Sequence, residues 1–301
     1  MGGVAQWRVL FQGHAAAFRR YRHSPVVVGI DIYNLEAEAY GAIVTQPEGI
    51  AVPAISTHPY ASVVELGRLP HYDPVCAGRI PMMLEAAQRI ARTFPSADVR
   101  VPVSGPFSIA SALVGFETLL CEAASDPVRV RDALLHLAEG QIDFCRAVRD
   151  CGLGVAFFES AATPPLLSPD MFAAVELPPL RHVMEGAAVI LGQPVPCIIG
   201  GNTAPILRHL LSTGTRYVIC PAETDQAAFM GSIWQRTEVR VRINMDLRVL
   251  VRGPWQAIRS EVDRVLALVR GRTNVCLGTG TLPFETPPEN VLRVAEYVKL
   301  R

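Results

Sequence analysis

The chain has 301 residues, half of them hydrophobic, and 28 Lys plus Arg balance 28 Asp plus Glu to a formal net charge of zero. That balance lacks the basic footprint of a nucleic-acid binder, and no uncharged apolar run reaches the roughly 18 residues of a membrane-spanning helix. The seven cysteines are odd in number, scattered and mostly set in apolar runs, so a disulfide framework is not expected and a reducing cytoplasm is the expected setting.

The first residues, MGGVAQWRVLFQGH, show no basic segment followed by a continuous apolar core, and so do not read as a signal peptide. Arg19, Arg20 and Arg22 follow, either as a solvated helix face or as a basic loop. Strand-like runs then appear at 26–30 (VVVGI), 51–55 (AVPAI), 99–103 (VRVPV), 154–159 (GVAFFE), 195–199 (VPCII), 216–220 (RYVIC), 239–243 (VRVRI) and 273–277 (TNVCL). Helix-like segments lie at 80–94, 108–123, 127–150, 169–187, 203–213, 255–270 and 287–299. Asp126-Pro127, Ser168-Pro169 and Thr286-Pro287 each set a capping residue before a proline at the first helical position. Glu289 in the first turn of the last helix suits the helix dipole. Strands separated mostly by helices predict parallel pairing. At this length the natural closed form is an α/β (β/α)8 TIM barrel, a single domain over residues 1–301. An open doubly wound sheet is the rival, but no GxGxxG follows the first strand, which removes the main support for dinucleotide binding.

In such a barrel the chemistry sits at the carboxyl ends of the strands. Strand one leads to Asp31, Tyr33 and Asn34, strand two to His58, strand three to Ser104 and strand four to Glu159. Strand five ends at Gly200-Gly201-Asn202, strand six reaches Glu223, strand seven ends at Asn244 and Asp246, and strand eight opens into a loop with Thr279 and Thr281. Asp31, Glu159 and Glu223 are the acid–base candidates, and burial of Glu159 would raise its pKa for that work. Tyr33, Asn34, His58, Ser104, Asn202, Asn244, Asp246, Thr279 and Thr281 are candidates for substrate binding. Each has a plain structural alternative. Asp31 would cap the next helix, Glu159 would sit in a surface loop, His58 would be a loop histidine, and Asn202 and Asn244 would brace loops. Glu38 either turns back towards the cleft or is helix-surface charge.

Seven ordered stretches carry a family resemblance: GIDIYNLEAEAYG (29–41), SGPFSIASALVGFETLL (104–120), DPVRVRDALL (126–135), SPDMFAAVELPPL (168–180), GGNTAPIL (200–207), NMDLRVLVRG (244–253) and LGTGTLPFETPPEN (277–290). Together they resemble the uroporphyrinogen decarboxylase superfamily, which holds the decarboxylases and related methyltransferases that work with methylcobalamin. The resemblance implies a (β/α)8 barrel with a deep cleft, often a homodimer. The decarboxylase cleft aspartate matches Asp31. The decarboxylases' N-terminal M-R-Q-A-G-R loop is not visible, their tyrosine falls at about Ala112, and Thr279 stands where their L-G-H-G loop has histidine.

The thiol-methylating relatives carry His-x-Cys-Gly-Asn after strand five and Gly-Cys after strand eight, which bind a thiol-activating zinc. Those positions are Ile198, Gly200 and Gly280 or Thr281, so no zinc is expected. Alternation along the strand would turn Cys197 to the helix layer, and Cys276 would lie in the strand body. GIDIYNLEAEAYG resembles the methyltransferase branch more than the decarboxylases. The resemblance therefore implies a corrinoid-linked methyltransferase. It would move a methyl group between a small substrate or methyl carrier and a corrinoid, either methylcobalamin or a corrinoid protein, with no nucleic acid or membrane as partner. The alternatives are a decarboxylase-like enzyme acting on a porphyrin or other polycarboxylate, and a non-catalytic tetrapyrrole-binding barrel.

Overall fold

The computed structural model describes residues 3–29, 31–45, 49 and 51–300; Ile30, the end of the first predicted strand, lies outside the described residues. In chain order the strands are β1 (Val26–Val27), β2 (Ile43–Thr45), β3 (Ala54–Thr57), β4 (Val99–Ser104), β5 (Gly154–Glu159), β6 (Cys197–Ile199), β7 (Tyr217–Cys220), β8 (Arg240–Asn244) and β9 (Val275–Gly278). Seven of them form one parallel sheet in the order β1-β4-β5-β6-β7-β8-β9. Most residues on both faces are apolar, as a parallel sheet covered by helices requires. Val101, Val103, Val155, Phe157, Cys197 and Ile199 pack outward into the larger core. Ala156, Ile198 and Ile219 form a separate inner cluster with Val27, Phe158 and Tyr217.

The expectation of eight barrel strands needs correction. The run at 51–55 does not enter the parallel sheet. Its neighbour β3 pairs antiparallel with β2 as a separate two-stranded sheet. The reason is chemical: Pro53 lacks an N–H to donate to a ladder, and Ala54, Ser56 and Thr57 are exposed, which a strand covered on both faces cannot be. Among the described residues no β1–β9 ladder closes the sheet. The fold is therefore TIM-barrel-like, with a curled seven-stranded parallel sheet.

The helices are α1 (Gly3–Tyr21), α2 (Ile32–Ala39), α3 (Val63–Leu66), α4 (Ile80–Thr93), α5 (Pro106–Val114), α6 (Phe116–Ser125), α7 (Pro127–Asp150), α8 (Pro169–Met171), α9 (Leu177–Leu191), α10 (Leu207–Leu211), α11 (Gln226–Ile233), α12 (Leu247–Arg252), α13 (Trp255–Leu268) and α14 (Pro288–Lys299). The helix expected over 108–123 breaks at Gly115, whose φ is +85°, and α5 meets α6 at 114°. A β-carbon at Gly115 would lie 3.0 Å from His58 Cδ2, so the same glycine turns the chain and admits a cavity residue. The helix expected over 169–187 passes through a π turn at Phe172–Glu176. Pro178 and Pro179 follow at once and have no N–H to return.

Two of the expected caps form. Arg129 N–H donates to Asp126 Oδ1 at 3.0 Å, and Met171 N–H to Ser168 Oγ at 3.1 Å. The third does not: Thr286 Oγ1 donates to Pro283 O at 2.7 Å, and α14 begins at Pro288. Phe107, Phe144, Phe157 and Phe172 are fully buried in the larger core, which is worth roughly 1.5–3 kcal/mol each. Among the described residues no single helix is long and apolar enough to cross a membrane.

Candidate active site

A cavity of about 1110 Å³ lies at the carboxyl ends of the parallel strands. Val27, Phe158, Ile198 and Ile219 from the inner face make its apolar wall. Asp31, Tyr33, Asn34, His58, Glu223, Asn244, Thr279 and Thr281 also line it, so eight of the sequence-derived candidates converge on one space. Ala112 is on the wall too. At the β1–β9 gap, α1 supplies His14, Ala17 and Tyr21, and α14 supplies Val291. An exposed ion pair of 3.3 Å joins Arg20 of α1 to Glu289 of α14, and Arg19, Arg20 and Arg22 are all exposed, as a solvated face requires.

Asp31 makes no side-chain cap bond to α2. Its Oδ2 lies 2.5 Å from Arg79 Nη1, and Arg79 Nε donates to Glu38 Oε2 at 2.7 Å. Glu38 is thus neither free surface charge nor a cleft group; it helps Arg79 brace the cleft aspartate. Burial works against the Arg79 charge, but Glu38 and Asp31 outweigh it and push the guanidinium pKa up.

Tyr33 accepts a hydrogen bond of 2.5 Å from Ser160 Oγ. Burial, opposed by that bond and reinforced by the charges of Glu159 and Glu36, pushes the phenol pKa well up. With its oxygen engaged by Ser160, the phenolic proton is left for a cavity ligand. His58 Nδ1 pairs with Ala112 O at 2.8 Å, and Asn34 Nδ2 donates to Pro53 O at 2.6 Å. Glu223 is exposed at the rim.

Four candidates are not on the cavity wall. Glu159 is completely buried. It accepts hydrogen bonds from Ser108 N (3.1 Å), Ser108 Oγ, Ser160 N (2.8 Å) and Ala161 N (2.9 Å), which fixes the start of α5 to the exit of β5. Burial raises its pKa, as expected for a strand-end glutamate, although hydrogen bonds hold it back. Next to it, burial and then the Glu159 charge push Glu176 well above the ordinary carboxyl range. Ser104 gives its N–H to Glu36 Oε1 at 2.7 Å and its Oγ–H to Glu36 Oε2 at 2.9 Å. Asn202 Oδ1 accepts from Thr224 Oγ1 at 2.9 Å, a loop brace. Asp246 accepts from Arg248 N at 2.8 Å to cap α12, and its hydrogen bond with the Arg248 side chain holds its pKa low.

The structure adds residues that strand-end reasoning passes over. His14 Nε2 accepts from Gly29 N–H at 3.1 Å, and burial, with His23 nearby, lowers its pKa to about 4; its imidazole is neutral near pH 7. Burial lowers His23 as well. Arg242 also lines the cavity. Its signal was available in V-R-V-R-I-N: Val241 and Ile243 pack outward, so the period of two places Arg240, Arg242 and Asn244 inward.

Among the described residues no group of three or more His, Cys, Asp or Glu is placed to hold a metal. Ile198, Gly200, Gly280 and Thr281, the positions of the zinc ligands in thiol-methylating relatives, all line the cavity. Their side chains do not fit zinc. Cys197 is buried in the helix-side core. Cys276 Sγ lies 3.9 Å from Tyr217 Oη.

No curated protein matches the chain. A solved methyltransferase from Methanosarcina mazei is similar in fold, with a TM-score of 0.80 at 21% identity, over 97% of this chain and 86% of that one. The family model for uroporphyrinogen decarboxylase (URO-D) matches residues 8–300, which spans the parallel sheet, the cavity and the helices that flank it. The chain belongs to the uroporphyrinogen decarboxylase family.

Proposed function

We propose that this cavity supports methyl transfer of the corrinoid-linked type, between a small substrate and a corrinoid, without zinc activation of a thiol. The observation that carries this reading is the pairing of two features on one wall. The zinc-ligand positions are Ile198, Gly200, Gly280 and Thr281, and a phenol with an available proton, Tyr33, faces the same space. Demethylation at oxygen or nitrogen leaves charge on the heteroatom. A positioned O–H donor stabilises that charge, and the apolar wall of Val27, Phe158, Ile198 and Ile219 strengthens the interaction by excluding water. A β-carbon at Gly200 would meet nothing within 4 Å, which fits the approach of a large planar group to the mouth. When bound, the corrinoid supplies the cobalt that takes or gives the methyl group. A corrinoid protein as partner and a homodimer belong to the same proposal on the strength of the family resemblance, and a cytoplasmic setting on the scattered cysteines.

A second reading, decarboxylation, is favoured by Asp31 on the wall at the family's cleft-aspartate position. Uroporphyrinogen itself suits the wall poorly, because Arg242 is the sole Lys or Arg among the described lining residues and a tetrapyrrole ringed by carboxylates needs several. One assay separates the readings. Purified protein is mixed with reduced cobalamin and a panel of O-methyl and N-methyl compounds, and corrinoid absorbance is followed; a parallel sample receives uroporphyrinogen. Methylation of the corrinoid supports methyl transfer. Less carboxylated porphyrins with no corrinoid change would overturn it in favour of the second reading.

A further inference from the structure

Arg242 stands apart from the other charged groups of the cavity. The strand register sets it beside Ile219 on β7 and Cys276 on β9. Its stem crosses Gly278, where a β-carbon would lie 2.5 Å from Arg242 Cδ; only glycine leaves this path open. Its Nε donates to Asn244 Oδ1 at 3.2 Å, which sets the plane of the guanidinium. Among the described residues no carboxylate forms an ion pair with it, whereas Arg79 is held by two. The two Nη atoms have no protein partner there and are not sealed from the cavity.

A cation on an apolar wall is costly unless a counter-charge arrives. A guanidinium with its Nε engaged still offers a planar pair of N–H donors, which matches the two oxygens of a carboxylate. The remaining titratable groups on the wall argue for a single negative charge. Asp31 and Glu223 are carboxyl groups, burial lowers the pKa of both His14 and His23, and His58 has its Nδ1 engaged by Ala112 O, so Arg242 is the one permanent cation among the described lining residues.

We infer that Arg242, aimed by Asn244 and admitted by Gly278, binds the carboxylate of a small monoanionic substrate at the β8–β9 side of the cavity. This names a substrate class for the function proposed above, and depends on that function only for the chemistry after binding. Isothermal titration of the full chain with benzoate, its neutral isostere benzamide and inorganic phosphate tests it. Wild type is expected to bind benzoate at least about ten-fold more tightly than benzamide or phosphate, as a charge-assisted bidentate pair implies. Arg242→Gln is expected to erase the preference for benzoate over benzamide and leave benzamide binding unchanged. Gly278→Ala, which displaces the stem, is expected to weaken benzoate in the same direction. No saturable benzoate binding, tighter binding of phosphate, or a preference that survives Arg242→Gln would each overturn the assignment. The two proposals fail separately. Benzoate selectivity without corrinoid turnover removes the reaction and keeps the subsite; corrinoid turnover by wild type with no preference for benzoate over benzamide does the opposite.

Discussion

Glu36 gives the sharpest physical test of the cavity's supporting layer. Its carboxyl is completely buried, one turn beyond Tyr33, and takes both hydrogen bonds that Ser104 offers. Burial raises its pKa from 4.5 to about 7, against the pull of the Ser104 hydrogen bonds and with help from the Asp31 charge. The native protein therefore keeps the proton up to about pH 7, while the unfolded chain releases it near 4.5. Between those values unfolding sheds a proton, so the Glu36 contribution to stability is greatest below pH 4.5 and falls as pH rises, by about 1.4 kcal/mol per unit. The whole loss is about 3 kcal/mol and is complete above pH 7. Glu36→Gln keeps the shape, accepts from Ser104 N with its oxygen, and donates to Ser104 Oγ with its amide. Urea titrations of wild type and variant at pH 5 and pH 8 should show the variant regaining most of that amount at pH 8 and under about 1 kcal/mol of it at pH 5. Equal pH dependence in the two proteins would refute the claim that a proton is held on Glu36.

Tyr33→Phe removes the phenolic donor and should lower kcat for methyl transfer by about 10²-fold or more, in the range of a lost positioned acid, with substrate affinity little changed. Ser160→Ala, which leaves the phenol in place but frees its oxygen, should cost less, and steady-state kinetics of the two variants would expose a wrong ranking. Gly105→Ala sets a β-carbon 1.9 Å from Glu159 Oε2 and 2.8 Å from Glu159 Cβ. It should destabilise by about 3 kcal/mol or prevent folding. Gly200→Ala has no atom within 4 Å to meet and should melt within a degree or two of wild type; thermal unfolding of both compares a crowded glycine with an open one.

How far the sequence can be read depends on the range of the interaction. Alternation and capping are local, so Gly154–Glu159, Arg240–Asn244 and the starts at Asp126 and Ser168 were legible from neighbours in the chain. The family stretches pointed to a barrel and to Asp31, Tyr33, Asn244 and Thr279 at its mouth, because strand ends in a parallel barrel must converge. The same reasoning overran at residues 51–55, where an apolar run looked like a barrel strand although Pro53 and the exposed hydroxyls of Ser56 and Thr57 suit an edge.

What the sequence by itself determined is the seven strands of the parallel sheet, their shared direction and the polar residues at their ends, since side-chain period and helix signals are written within a few residues. Only the tertiary structure decided which of those ends face the hollow. Ser104 and Glu159 turn instead to Glu36 and the start of α5, Asp31 meets Arg79 from 48 positions further along the chain, and α1 brings His14 to the wall. Such choices depend on where a buried charge finds its donors, and those donors come from distant segments that become neighbours only when the sheet curls.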